Sequence, residues 1–133
     1  MSRTLWATIA IAGVAMLAGC GNKPNTASAL TIERKAALEE LGELLKSLAH
    51  ENRKPPAGLA ELDPLEPMIP VAGPAIRNGS VVYFWGVAYA AGSKHVAAHE
   101  KSLATESGFV LLQDGTVKEM TAAEFQAASK AKK

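Results

Sequence analysis

The stretch Gly108-Phe109-Val110-Leu111-Leu112-Gln113-Asp114-Gly115-Thr116-Val117-Lys118-Glu119-Met120-Thr121-Ala122-Ala123-Glu124-Phe125 decides the fold. Two β-rich runs, Gly108–Gln113 and Thr116–Met120, flank Asp114-Gly115. Asp-Gly between such runs predicts a hairpin, because a two-residue type I′ turn needs positive φ at both central positions. In that register Leu112 faces Val117 across the turn. Val110, Leu112 and Val117 then share one face, with Phe109 and Leu111 on the other. Thr121-Ala122-Ala123-Glu124 is a capping box, so a short helix follows through about Ser129, with Phe125 as its anchor.

Upstream, Val81-Val82-Tyr83-Phe84-Trp85-Gly86-Val87-Ala88-Tyr89-Ala90 is apolar on both faces of a two-residue period, which predicts a central strand. Tyr83 and Trp85 lie on one of those faces, and in so small a domain they are expected to pack in the core. Ala91-Gly92-Ser93-Lys94 is the turn into another strand, His95–Glu100. The predicted sheet has three to four antiparallel strands.

Before it, residues 55–80 hold six of the seven prolines. That density predicts an extended, stiff connection, with one short turn at Gly58–Leu62 bringing Leu59 and Leu62 back onto the core. Asn78-Gly79 supplies the tight turn into the sheet. Earlier still, Leu38, Leu41, Leu45 and Leu48 recur at spacings of three and four, with Ala37 and Leu44 beside them. This is one apolar stripe of a helix from Thr31 to about Glu51. Thr31 is its expected N-cap and Glu33 an acid in its first turn, while Glu39, Glu40, Glu43 and Lys46 fall on the wet side. Asn52 and Pro55-Pro56 end it. The expected fold class is α+β: one amphipathic N-terminal helix on a small antiparallel sheet, closed by a short C-terminal helix.

The N-terminus speaks of location. Arg3 precedes a stretch of apolar and small residues from Leu5 to Ala18, the layout of a secretory signal. It is shorter than the roughly 20 residues that a transmembrane helix needs. Leu17-Ala18-Gly19-Cys20 follows, and it resembles the lipobox of bacterial lipoproteins. That resemblance implies cleavage after Gly19 and lipid attachment at Cys20. Cys20 is the single cysteine of the chain, so no internal disulfide competes for it. One acyl chain holds a protein only marginally, and two or three make the anchor effectively permanent. Gly21 stands where the family places an Asp for inner-membrane retention, so the expected site is the outer membrane, facing the periplasm. The reading divides the chain into a signal peptide (1–19), lipidated Cys20 with a flexible tether (20–30), one α+β domain (31–129) and a basic tail (130–133).

A second resemblance covers about a third of the chain. Trp85-Gly86-Val87, Ala97-Ala98-His99-Glu100-Lys101 and the 108–125 stretch look like the C-terminal segment of small uncharacterised planctomycete proteins, some of them pilin-like. The order of helix, Pro-rich connection and sheet is similar to the globular part of type II secretion pseudopilins. The resemblance implies a pseudopilin-like secretion component. Prepilins are cut before their apolar segment, however, whereas the lipobox here places the cut after it.

Charge excludes one class of partner. Of 14 basic residues only Arg3 precedes Cys20, which leaves 13 against 13 acidic ones. A balanced chain gives no electrostatic case for nucleic acid. Chemistry-bearing motifs are sparse: the sequence has no G-x-S-x-G, P-loop or G-x-G-x-x-G. His95 and His99 form an H-x3-H pair beside Glu100, with His50 as a remote third imidazole. On a helix the pair would share a zinc ion, but Val96 replaces the general-base Glu of H-E-x-x-H. In a strand, residues four apart lie roughly 13 Å from each other, too far for one ion. Asp114 reads as a turn residue and Glu124 as a cap before either reads as an acid. The expectation is a lipid-anchored envelope protein with no catalytic site, no metal and no cofactor, held to the membrane through Cys20 and contacting another envelope component. A small metal-dependent hydrolase using His95 and His99 is the rival.

Overall fold

The computed structural model describes residues 26–133; the signal segment, Cys20 and residues 21–25 lie outside the described residues. The fold is α+β, with element order α1 (Thr26–His50), a 3-10 helix (Leu59–Met68), α2 (Ala72–Arg77), β1 (Val81–Tyr83), β2 (Val96–Glu100), a second 3-10 helix (Lys101–Ala104), β3 (Gly108–Leu112), β4 (Val117–Met120) and α3 (Ala122–Ala127).

Helix α1 begins five residues before the expected start, inside the segment assigned to the tether, and Thr31 is therefore an interior helical residue and not its N-cap. Ser, Thr and Ala between positions 26 and 29 lack the apolar period, but nothing among them breaks a helix already nucleated by the leucine stripe. Ala37, Leu38, Leu41, Leu44, Leu45 and Leu48 are buried, as their spacing requires. The helix ends where expected and for a visible reason: Asn52 has φ of 54°, its N–H donates to Ala49 O (3.1 Å), and Arg53 N–H donates to Leu48 O (2.8 Å). This is a Schellman ending with asparagine in the left-handed position.

The Pro-rich segment is not extended. Pro64 and Pro67 sit inside the 3-10 helix and Pro74 in the first turn of α2. A 3-10 helix of i to i+3 bonds and a helix's first turn both tolerate a missing N–H. Leu62 and Leu65 are buried on the core, whereas Leu59 is 46% exposed, contrary to expectation. Glu40 leaves the wet side of α1 to cap α2, its Oε2 accepting the N–H groups of Val71 (2.9 Å) and Ala72 (2.7 Å). Arg77 forks from α2 to Asp63 and Glu66 of the 3-10 helix, and both hydrogen bonds hold its pKa above the ordinary value.

The sheet is antiparallel in the order β1-β2-β3-β4. The long strand expected over Val81–Ala90 stops at Tyr83 and lies at an edge. Gly86, at φ of 82°, closes a turn in which Val87 N–H donates to Phe84 O (3.1 Å), and the chain leaves the sheet there. Tyr83 is buried, its hydroxyl donating to Val87 O (2.6 Å), and burial pushes its pKa up. Trp85, half-buried, meets it edge-on at 5.2 Å.

The β3–β4 hairpin forms with a different turn. Gly115 N–H donates to Leu112 O (2.9 Å), Leu112 N–H donates to Thr116 O (2.8 Å), and only Gly115 of the turn is left-handed, at φ of 85°. This is a longer loop ending in a left-handed glycine, not a two-residue type I′ turn. Leu111, not Leu112, pairs with Val117. The shift moves Val117 to the opposite face: Phe109, Leu111 and Val117 meet the core under α1, while Val110, Leu112 and Met120 form a second cluster with Val96 and Leu103. Phe125 of α3 packs on that second cluster, held by the expected capping box. The sheet thus has α1 on one face and α3 on the other.

The basic end is not a free tail. Val96 N–H donates to Ser129 O (2.9 Å), Ala131 N–H donates to Val96 O (2.8 Å), and Lys130 forms a parallel bridge with Val96. Ala131 is buried, and Lys130 Nζ lies 4.2 Å from the Phe125 ring centre while donating to the carbonyls of Phe125 and Ala128. Backbone pairing beside β2 and a cation over an aromatic face hold the basic segment.

Candidate functional site

Strand β2 runs from buried Val96 to a buried carboxylate, Glu100, opposite Val81 of β1. An ionised carboxylate taken out of water must find donors. Glu100 finds one donor and one counter-charge: Oε2 accepts Phe109 N–H at 2.6 Å, at the start of β3, and Oε1 lies 3.6 Å from Nη1 of Arg34 on α1, an ion pair without a hydrogen bond. The Glu100 side chain is 4% exposed and that of Arg34 42%. One end of the pair is therefore fixed inside the sheet and the other stands at the surface. Glycine at 108 makes the arrangement possible, because a Cβ there would lie 2.6 Å from Glu100 Oε2. Glu100 Oε1 and Ser102 Oγ are both sealed from solvent without a hydrogen-bond partner.

Arg34 and Ser80 form shared walls of two adjoining depressions between α1, α2 and the start of the sheet. One, of about 520 Å³, carries a net positive charge from its lining residues, with Lys101, Ser102 and Glu100 completing it. The other, of about 260 Å³, is lined by Leu30, Ala37, Val71, Pro74 and Ala75, and by Glu33 and Asn78. Ser80 is held in place: its N–H and hydroxyl donate to Asn78 Oδ1 (2.8 and 2.5 Å), and its carbonyl accepts Lys101 N–H (2.9 Å). The joint cleft has donors at one end and apolar surface at the other, the usual composition of a small-ligand or peptide pocket.

No protein-family model matches the chain, and no curated protein or solved structure matches it. The site is accordingly read from its own chemistry.

The residues singled out by sequence do not converge. His95 is exposed and precedes β2. His99 is half-buried on β2, its ring 5.7 Å from Phe84 and 4.5 Å from Phe125, with Nδ1 2.7 Å from Glu100 O. His50 is exposed in the last turn of α1. Among the described residues no group of three or more His, Cys, Asp or Glu side chains is placed to hold a metal ion. Asp114 serves the hairpin: Oδ1 accepts Thr116 N–H (3.0 Å) and Oδ2 accepts from Lys94 Nζ (2.8 Å). The Lys94 contact first, then Thr116, lowers its pKa to about 2. Glu124 is lowered by the Thr121 N–H it accepts at 2.7 Å in the capping box, and then by the Thr121 hydroxyl. Cys20 lies outside the described residues, and no described helix is long and apolar enough to cross a membrane.

Sequence reasoning passed over Arg34, Ser80, Lys101 and Ser102, and noticed Glu100 only as a neighbour of His99. A signal was present: the strand Val96-Ala97-Ala98-His99-Glu100 ends on a charge that its two-residue period places inward, like Ala98. An inward acid requires a cation, and nothing local names which one.

Proposed function

We propose that this chain is a lipid-anchored cell-envelope protein whose small α+β domain is a non-catalytic interaction module. The observation that carries the reading is Leu17-Ala18-Gly19-Cys20 directly after a charged and then apolar leader, with Cys20 the chain's single cysteine. Acylation gives that thiol a use that a lone cysteine in an exported protein otherwise lacks. What supports a binding role for the domain is the cleft at Arg34 and Glu100, which offers cationic donors and apolar surface. The favoured destination is the periplasmic face of the outer membrane, on the strength of Gly21 after the modified cysteine.

Fractionation of cells expressing the full chain tests the reading. The wild-type protein is expected in the membrane fraction and resistant to salt extraction, while Cys20→Ser is expected either in the soluble fraction or retained with its leader uncut. A wild-type protein found soluble would contradict it. The rival role of a pseudopilin-like secretion component is supported by a long helix packed on an antiparallel sheet; it requires co-purification with secretion machinery from detergent-solubilised membranes, and a pull-down recovering none counts against it.

A further inference from the structure

We propose that the cleft beneath α1 binds the C-terminal end of an extended peptide, its carboxylate on Arg34 and Lys101 and its last apolar side chain in the trough formed by Ala37, Val71 and Pro74. The inference rests on the interaction-module reading and names the partner's chemistry.

Charge is segregated within the cleft. The cationic lobe holds Arg34 and Lys101, and its single acid, Glu100, is buried and already engaged by Phe109 N–H and Arg34. The Arg34 guanidinium stands 3.6 Å from the buried Glu100 carboxylate and is 42% exposed, and a planar guanidinium matches a ligand carboxylate with two parallel N–H donors. Arg34 lines both lobes, so an anion on it places whatever it is attached to at the mouth of the trough.

The trough selects the rest. Its volume, about 260 Å³, falls at or below the roughly 300 Å³ lower bound of drug-sized pockets, which suits one or two residues. Its lining includes Glu33 and Asn78 beside the apolar residues. A peptide's N–H and C=O groups can pair with a carboxylate and with the Asn78 amide, whose Oδ1 is already taken by Ser80. An acyl chain would make no use of those polar groups. Backbone capture of a peptide terminus with a pocket for its last side chain is an established recognition mode.

The test uses the full chain as purified in detergent micelles, titrated with N-acetyl-Ala-Ala-Val as the free acid and as its C-terminal amide, with backbone amide shifts as the readout. The acid is expected to move the Ser80 and Lys101 signals saturably, and the amide to bind at least about tenfold more weakly, as loss of a charge-assisted pair implies. Arg34→Gln should erase the preference for the acid and exposed Lys101→Gln should reduce it, while exposed Lys118→Gln on β4 should not. Should Arg34→Gln fail to fold, Lys101→Gln alone carries the comparison with Lys118→Gln. Equal binding of acid and amide, no saturable shift with either, or tighter binding of decanoate than of the peptide acid at the same signals would overturn the proposal. The fractionation result is independent of all of these, so failure of the peptide site and failure of the anchor are told apart.

Discussion

The Glu100 carboxylate occupies the space that a side chain at position 108 would fill: a Cβ on Gly108 would stand 2.6 Å from Glu100 Oε2. The carboxylate is tied there by Phe109 N–H, and Leu103 Cγ and Ser102 Oγ stand 3.3 and 3.4 Å from the same added Cβ, so yielding to it costs the hydrogen bond in a crowded place. Gly108→Ala is expected to destabilise the domain by about 1–3 kcal/mol, through overpacking and a strained buried hydrogen bond. Thermal or urea unfolding checks this. A melting curve unchanged from wild type would mean that Glu100 is not held as described.

Glu40, half-buried, is a second acceptor with a distinct task, capping α2 across 31 and 32 residues of sequence. Glu40→Ala should cost about 1–2 kcal/mol, the range for a lost helix cap. The neighbouring change Glu39→Ala should fall within about 0.5 kcal/mol, since Glu39 makes only a surface pair with Lys35. Denaturant midpoints of the two variants measured side by side decide it.

The hairpin turn gives a third prediction. Gly115 has φ of 85°, so Gly115→Val places a β-branched residue in a left-handed position, at about 1–3 kcal/mol. The same change at Gly21, before the described domain, should leave the melting temperature of the fold unaltered. Equal harmlessness of the two substitutions would remove the turn from the account.

Asp114 links that turn to pH. Its pKa is lowered to about 2 from an ordinary 3.8, chiefly by Lys94 and then by Thr116. A carboxyl with a depressed folded value contributes stability that is present above its unfolded pKa and is lost as pH falls through the folded one. Wild type should therefore exceed Asp114→Asn in stability at pH 7, and the gap should close between about pH 4 and pH 2. The contribution is discounted because Lys94 is exposed and solvent screens the pair. Unfolding measured at several pH values would show a gap independent of pH if the pairing were wrong.

The parts of the fold carried by repetition were legible from sequence. The leucine stripe of α1, the capping box at Thr121 and Glu124, and the alternation of β3 depend on local periods that any single chain displays. What depends on contacts between distant segments was not. The slip of Val117 from Leu112 to Leu111 follows from one extra turn residue, and a one-residue shift exchanges the faces of a strand. Gly86 ends β1 because Pro56 O accepts its N–H (2.9 Å) and the chain turns there, which a run of apolar residues does not announce. The prolines of 55–80 signalled the absence of long regular structure and concealed two short helices. At the cleft, Arg34 and Glu100 are 66 positions apart, and neither belongs to a motif.

The most direct test of the account is the intact mass of the mature N-terminal peptide from membranes of the native host. It should begin at Cys20, lack residues 1–19, and carry the added mass of a diacylglyceryl group, with or without an amide-linked third chain. In Cys20→Ser that modified peptide should vanish. A wild-type N-terminus at Met1, or an unmodified Cys20 in the membrane-associated protein, would contradict the anchor and the function built on it.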